Sequence, residues 1–229
     1  MDRDKHADPA QPILISWSGG KDSCLALYSI EGLAAFEITA LVTTITNDYD
    51  RVSMHGVRRV LLERQAAALQ LPLDTIVISK DASNEEYEAN MAKTLLRYRA
   101  QGVDSIVFGD LFLEDVRAYR EQFLSGIQMK GIFPIWRRNT SDAVREFIRV
   151  GFKAVITCVN AEVLDQSFAG KLIDDEFLEE LPPSVDPCGE NGEFHSFVYD
   201  GPIFKEPVRF VLGESVRRGP FCFRDLVPS

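Results

Sequence analysis

The stretch Ser18-Gly19-Gly20-Lys21-Asp22-Ser23 constrains the chain more than any other, because of what flanks it. Before it, Pro12-Ile13-Leu14-Ile15-Ser16-Trp17 is an apolar run of strand length. After it, Cys24-Leu25-Ala26-Leu27-Tyr28-Ser29-Ile30 carries apolar residues at helical spacing. A strand, a tight glycine turn and a helix start together make a cradle for an anion. Glycine lets backbone come close to a ligand, and the unpaired N–H groups of a first helical turn point at that ligand with the helix dipole behind them. Ser18 and Ser23 add hydroxyl donors, Ser16 stands at the end of the strand, and Lys21 adds a mobile positive charge. The expected ligand is the phosphate tail of ATP, held by Ser16, Ser18, Gly19, Gly20, Lys21, Asp22 and Ser23.

Two common phosphate loops are excluded. A Walker A loop needs a glycine five positions before the glycine of Gly-Lys-[Ser/Thr], and here that position is Ile15, with Asp22 after the lysine. The Rossmann G-x-G-x-x-G pattern is absent as well. Ser-Gly-Gly-Lys-Asp-Ser resembles instead the PP-loop of the ATP pyrophosphatases, enzymes that cut ATP between its α- and β-phosphates. The structural alternative is a strand-to-helix turn with a serine cap.

The remainder of the first half alternates strand and helix signals. Phe36 to Thr44 is β-branched and strand-like, Asn47-Asp48-Tyr49-Asp50 is turn-like, and Gly56 to Gln70 has helical periodicity. Leu73 to Ile78 is a third strand, and Ser83-Asn84-Glu85-Glu86 is a capping box opening a helix to about Ala100, with Gly102 beyond it. Asp104 to Gly109 is a fourth strand, followed by a helix to about Gln128. Such alternation predicts a parallel sheet with helices on both faces. Beyond residue 130 the rhythm changes: Phe133-Pro134-Ile135-Trp136 reads as a short strand, Thr140-Ser141-Asp142 as a helix cap, Lys153 to Val159 as a strand and Asp174 to Glu180 as a solvated helix face. A nucleotide domain over 1–130 and a smaller α+β substrate domain over 131–229 are expected, after a loose tail over residues 1–10. The Arg137-Arg138 pair is either a binding site for an acidic partner or an ordinary surface pair.

Charge and cysteines narrow the class. A net charge of −10 over 229 residues argues against nonspecific nucleic-acid binding. No run reaches membrane-spanning length and no signal-peptide core follows Met1, so a cytoplasmic protein is expected. Cys24, Cys158, Cys188 and Cys222 are scattered without a C-x-x-C, which indicates neither a zinc ribbon nor a disulfide framework.

Ligands of open α/β sheets sit at the carboxyl ends of strands where strand order reverses. If the fourth strand lies beside the first, Gly109 and Asp110 come next to the phosphate loop. Gly109 then permits close approach to the nucleotide, and Asp110 orders a metal-bound water or the acceptor; a plain strand-to-loop turn is the alternative. Thr43 and Thr44 offer backbone groups to adenine. His55, in Met54-His55 on the same sheet edge, contacts phosphate or works as acid or base, unless it is a solvated loop histidine. Asn191-Gly192 is a hairpin signal for a type I′ turn. It places Glu190 and Glu193 across the turn, with His195 on the side of Glu193. Facing carboxylates cost stability, so the cluster fits a metal, an ammonium ion or a cationic substrate group better than a bare hairpin tip.

The PP-loop, Ser53-Met54-His55, Gly109-Asp110, Pro134-Ile135-Trp136, Cys188-Gly189-Glu190-Asn191-Gly192-Glu193-Phe194-His195 and Asp200-Gly201-Pro202 together resemble the diphthine–ammonia ligase family, over nearly the whole chain. The Gly-Glu-x-Gly-Glu-aromatic segment is what narrows the match, and this chain reads Glu-Asn-Gly where many members read Glu-Gly-Gly. The resemblance implies a HUP-type nucleotide domain, a C-terminal substrate domain, and ATP-dependent conversion of the diphthine carboxylate on elongation factor 2, or a related acceptor, into an amide with ammonia. In that scheme Lys21, Asp22, Asp110, Glu190, Glu193 and His195 form the catalytic set. Asp22 holds Mg²⁺ or else caps the helix. Met1-Asp2 offers no N-terminal cysteine nucleophile, so free ammonia is the expected nitrogen source, and a homodimer is permitted. A PP-loop tRNA-modifying enzyme and a nucleotide-binding module without turnover are the competing readings.

Overall fold

The computed structural model describes residues 9–52 and 55–229. Residues 1–8 of the expected tail, with His6, and the Ser53-Met54 pair lie outside the described residues. The chain opens with β1 (Gln11–Ser16) and α1 (Lys21–Ile30), joined by the glycine turn. There follow β2 (Phe36–Thr46), a two-residue β3 (Arg51–Val52), α2 (Arg59–Leu69), β4 (Leu73–Ile78), α3 (Asn84–Arg99), β5 (Ser105–Val107), α4 (Glu114–Gly126) and β6 (Lys130–Ile132). Ser83 caps α3 by accepting the Glu86 N–H, as its capping box implies. The parallel order is β4-β2-β1-β5-β6, with β3 antiparallel on the end of β2. Strand order therefore reverses beside β1, next to the phosphate turn.

Beyond it come α5 (Thr140–Arg149), β7 (Lys153–Asn160), α6 (Asp175–Glu180), β8 (Phe194–Asp200), β9 (Phe210–Arg218) and β10 (Phe221–Pro228). These strands form an antiparallel sheet in the order β8-β7-β10-β9. The architecture is the expected mixed α/β one: a parallel-dominated sheet flanked by helices, with a second sheet behind it.

Alternation along β1 sorts its side chains onto two faces. Leu14 joins Val42, Ile76, Leu95, Ile106 and Leu124 under α3 and α4. Ile13 and Ile15 join the larger cluster, which runs without a break through Leu27 and Leu61 to Val155, Phe197 and Leu226 of the second sheet. One core thus serves both sheets, and the second sheet packs against the phosphate turn.

Several local expectations are corrected. Phe133–Trp136 is a turn, not a strand; the strand is the preceding Lys130–Ile132, which pairs with β5. Helix α5 is capped by Asn139, whose side chain accepts the Asp142 N–H, so Thr140 is already helical. Arg137 and Arg138 pair within the chain, with Glu114 and Glu146 respectively. Among the described residues no helix is long and apolar enough to cross a membrane.

Candidate active site

The phosphate turn is held from three sides. Gly19 adopts φ +76°, and a side chain there would start 2.6 Å from Gln65 Oε1. That Gln65, wholly buried on α2, accepts from Trp17 Nε1 at 3.0 Å and donates to the carbonyls of Gly19 and Val198. Val198 N donates in turn to Gly19 O at 2.9 Å, and Lys21 N donates to Ser196 Oγ at 3.2 Å. Gly109 lies so close that a Cβ on it would stand 2.6 Å from the Asp22 carbonyl carbon and oxygen. The expected adjacency of β5 and the turn is therefore present, and it leaves room for hydrogen alone.

Within the turn, Ser18 Oγ accepts from Gly20 N and lies 3.2 Å from Ser23 Oγ. Gly20 is the N-cap of α1 and brings no capping side chain, which leaves first-turn amides to an anion. Asp22 lies in the first turn of the helix, one residue past Lys21, and is not its N-cap. Its carboxylate receives Lys21 Nζ at 2.8 Å on each oxygen.

Two adjoining cavities open at the carboxyl ends of β1, β2 and β5. The first, about 360 Å³, is lined largely by apolar groups that include Val42, Met91, Leu95, Ile106, Phe108 and Phe123, with Thr43 and Thr44 on its wall. Thr43 Oγ1 is buried there without a partner among the described residues. The second, about 480 Å³, carries the charged groups and brings together Lys21, Asp22, Asp110 and Glu190 with Cys188 and Gly189. Ser16, Ser18, His55, Phe108, Arg120 and His195 border both.

The loop 186–193 departs from the expected hairpin. No strand precedes Asn191, and Asn191 lacks the positive φ that a type I′ turn requires. Glu193 does not face Glu190 across a turn. It is buried and accepts from Asp186 N, Asn191 N and Asn191 Nδ2, at 2.9 to 3.0 Å. Three donors on one carboxylate make it the staple of the loop. Glu190 alone of the pair enters the second cavity.

The family comparisons agree with this geometry. Residues 12–130 match the family model for the diphthamide synthase N-terminal domain, and residues 139–220 match that for its C-terminal domain. The first match alone covers more than half of the chain. The chain belongs to the diphthine–ammonia ligase family. It is 27% identical over 213 residues to "Diphthine--ammonia ligase" of Homo sapiens, covering 83% of this chain and 79% of that one. A Danio rerio protein of the same name is 28% identical over 220 residues, covering 87% and 86%. A Schizosaccharomyces pombe namesake is 24% identical over 231 residues, covering 90% of this chain but 37% of its own greater length. Like the rest of the family, the chain is a carbon–nitrogen ligase.

Electrostatics sort the site of this ligase family member by role. Burial works against the Lys21 ammonium, but Asp22, Cys188 and Glu190 outweigh it and raise its pKa, so Lys21 stays charged. Burial pushes the Asp22 carboxyl up, with Lys21 opposing. Glu190 is raised to about 8 by burial and then by the Asp22 charge, against the pull of Lys21. For Glu193 burial is outweighed by its hydrogen bonds, led by Asn191, and its pKa falls. Burial lowers His55 to about 3, with His195 adding to the effect, and lowers His195 to about 4, with Lys21 adding. Both imidazoles are neutral, their ring centroids 4.5 Å apart, and His55 Nδ1 has no partner among the described residues. Burial raises the Cys188 thiol to about 12, which rules it out as a nucleophile at neutral pH.

Gln65 and Arg120 escaped the sequence reading. Gln65 carried a weak signal, a single amide on an otherwise apolar helix face. Arg120 carried none, since it sits among the alternating charges of Glu114 to Glu121 like any solvated residue.

Proposed function

We propose that the protein is an ATP-dependent amide-forming ligase that adenylates a carboxylate and transfers ammonia to it. The acceptor is diphthine, following the name that the relatives carry; its carrier in this reading is elongation factor 2, and the products are AMP and pyrophosphate. The observation that supports this most directly is the pair of cavities meeting at the phosphate turn. An apolar cavity of nucleoside size lies on one side, and a charged cavity holding Lys21, Asp22 and Glu190 lies on the other.

ATP laid with its base in the apolar cavity places its outer phosphates at the turn. The acceptor carboxylate then attacks the α-phosphorus, the bond to the bridging oxygen breaks, and pyrophosphate leaves against the turn's N–H groups, Ser18, Ser23 and Lys21. Ammonia displaces AMP from the acyl carbon and gives up a proton, which Glu190, in the cavity with Lys21 and Asp22 and raised to about 8, accepts in its ionised form. Residues up to about 130 serve the nucleotide, and those beyond it shape the acceptor side. Among the described residues no three His, Cys, Asp or Glu side chains gather at metal-binding spacing. Asp22, with its hard oxygen donors in the charged cavity, fits a Mg²⁺ that is held mainly by phosphate and water, as this ion usually is. When bound it would neutralise charge on the leaving pyrophosphate.

The test incubates the protein with ATP, magnesium, ammonium and diphthine-bearing elongation factor 2. AMP, pyrophosphate and an amidated acceptor are expected. ADP with orthophosphate, or AMP formation driven by tRNA instead, would replace this reading with another.

A further inference from the structure

In the mechanism above, the turn and Lys21 meet the outer phosphates, and nothing yet meets the charge that grows on the α-phosphoryl oxygens during attack. We propose that Arg120 does so, as a catalytic residue of the adenylation step. This rests on the ligase reading above.

The placement follows from the two cavities. If the nucleoside occupies one and the leaving pyrophosphate the other, the α-phosphorus falls at their shared wall. Of the side chains that border both, Arg120 is the one Lys or Arg among the described residues. His55 and His195, which share that wall, are neutral and bring no cation there. Ser16 and Ser18 offer hydroxyls only.

Arg120 is also held as a fixed electrophile must be. It leaves α4 toward the end of β5, where its Nε stands 2.8 Å from Asp110 Oδ2 and its guanidinium lies 4.3 Å from the Phe108 ring centroid. Both anchors flank Gly109 in the segment that leaves β5, and Gly109 packs against Asp22, so the guanidinium and the phosphate turn share one support. The side chain is 28% exposed and that of Asp110 17%, so the pair is partly shielded from water. A guanidinium has five N–H donors in a planar fork, and one carboxylate does not use them all. Donors fixed in advance toward a site of developing charge lower the barrier more than they tighten ground-state binding. Asp110 becomes a positioning residue for Arg120, in place of the water-ordering role expected from sequence.

The experiment compares wild type, Arg120→Lys, Arg120→Ala and Asp110→Asn, with diphthine-bearing elongation factor 2 as acceptor. For Arg120→Ala the expected result is a loss in kcat for AMP formation of about 100-fold or more, with KM for ATP within about threefold. Added guanidinium ion should recover part of that loss, which a misfolded variant would not allow, and Arg120→Lys should fall between. Wild type should prefer one diastereomer of ATP carrying sulfur on the α-phosphorus, and Arg120→Ala should lose that preference. Asp110→Asn should lower kcat less and keep some preference. A raised KM at unchanged kcat, or an unchanged diastereomer preference in Arg120→Ala, overturns the assignment while wild type still yields AMP. ADP from the wild-type protein overturns the ligase reading and this assignment with it.

Discussion

Ser18–Ser23 and 186–193 reach the same cavity by different means. The first turn is shaped by backbone: Gly19 at positive φ and Gly109 packed on Asp22 leave no space for a side chain at either glycine, and main-chain amides join Ser18, Ser23 and Lys21 as donors. The second loop is shaped by side chains. Glu193 accepts three N–H groups, and Asp186 Oδ1 accepts from Cys188 N at 2.9 Å and Glu190 N at 3.3 Å. An invariant ligand such as a triphosphate is served well by a rigid cradle. The loop that presents Glu190 rests on carboxylates instead, so its shape depends on their remaining ionised.

The sharpest test of that contrast separates the two glutamates. Glu190→Gln removes a carboxylate that faces the cavity, while the amide keeps an oxygen for the Leu111 N–H that Glu190 accepts. It should leave the thermal midpoint unchanged while cutting amide formation about 1,000-fold, within the usual range for a lost general base. Glu193→Gln turns one of the accepting oxygens into a donor among buried N–H groups. It should cost about 1–3 kcal/mol in urea unfolding, with activity falling only as the loop loosens. Equal effects of the two on unfolding would break the distinction.

Gly109→Ala probes the backbone-built side. Its Cβ would press on main chain 2.6 Å away, which no rotamer change relieves. An ångström-scale shift of the turn is expected to lower kcat/KM for ATP about 100-fold. Gly126→Ala, where no atom lies within 4 Å of the new Cβ, is the control and should be silent.

How far the sequence revealed all this follows the same division. The phosphate turn was legible because strand, glycines and helix are contiguous, and the parallel sheet because each strand and helix carries its own periodicity. Even the approach of Gly109 followed from topology alone. The role of Glu193 did not: Asn191-Gly192 is a strong hairpin signal, but the carboxylate two residues on captures the Asn191 amide and Asp186 N, and no hairpin forms. Gln65 and Arg120 act across separations that no local pattern encodes, Gln65 reaching Val198 from 133 residues away. Sequence showed which residues were chemically able; the fold decided which of them meet.

The smallest expected effect concerns the seam between the sheets, where Asp225 of β10 pairs with Arg58 at 2.5 Å and Arg51 at 2.9 Å. Hydrogen bonding to Arg58 leads the shift that carries its pKa from 3.8 down to about 2. A carboxylate lowered in the folded state stabilises the fold above its unfolded pKa, and that contribution fades as pH falls toward the folded value. From pH 5 to pH 3, Asp225 should therefore account for about 1 kcal/mol of lost unfolding free energy. His55 and His195 act over a higher window: their folded values of about 3 and 4 lie below 6.5, so their contribution is full above pH 6.5 and declines below it. Subtracting urea curves of Asp225→Asn from those of wild type cancels the histidines and isolates the seam. A difference that stays constant between pH 5 and pH 3 would mean that the seam does not depend on this ion pair, and that the shared apolar core alone holds the second sheet to the phosphate turn.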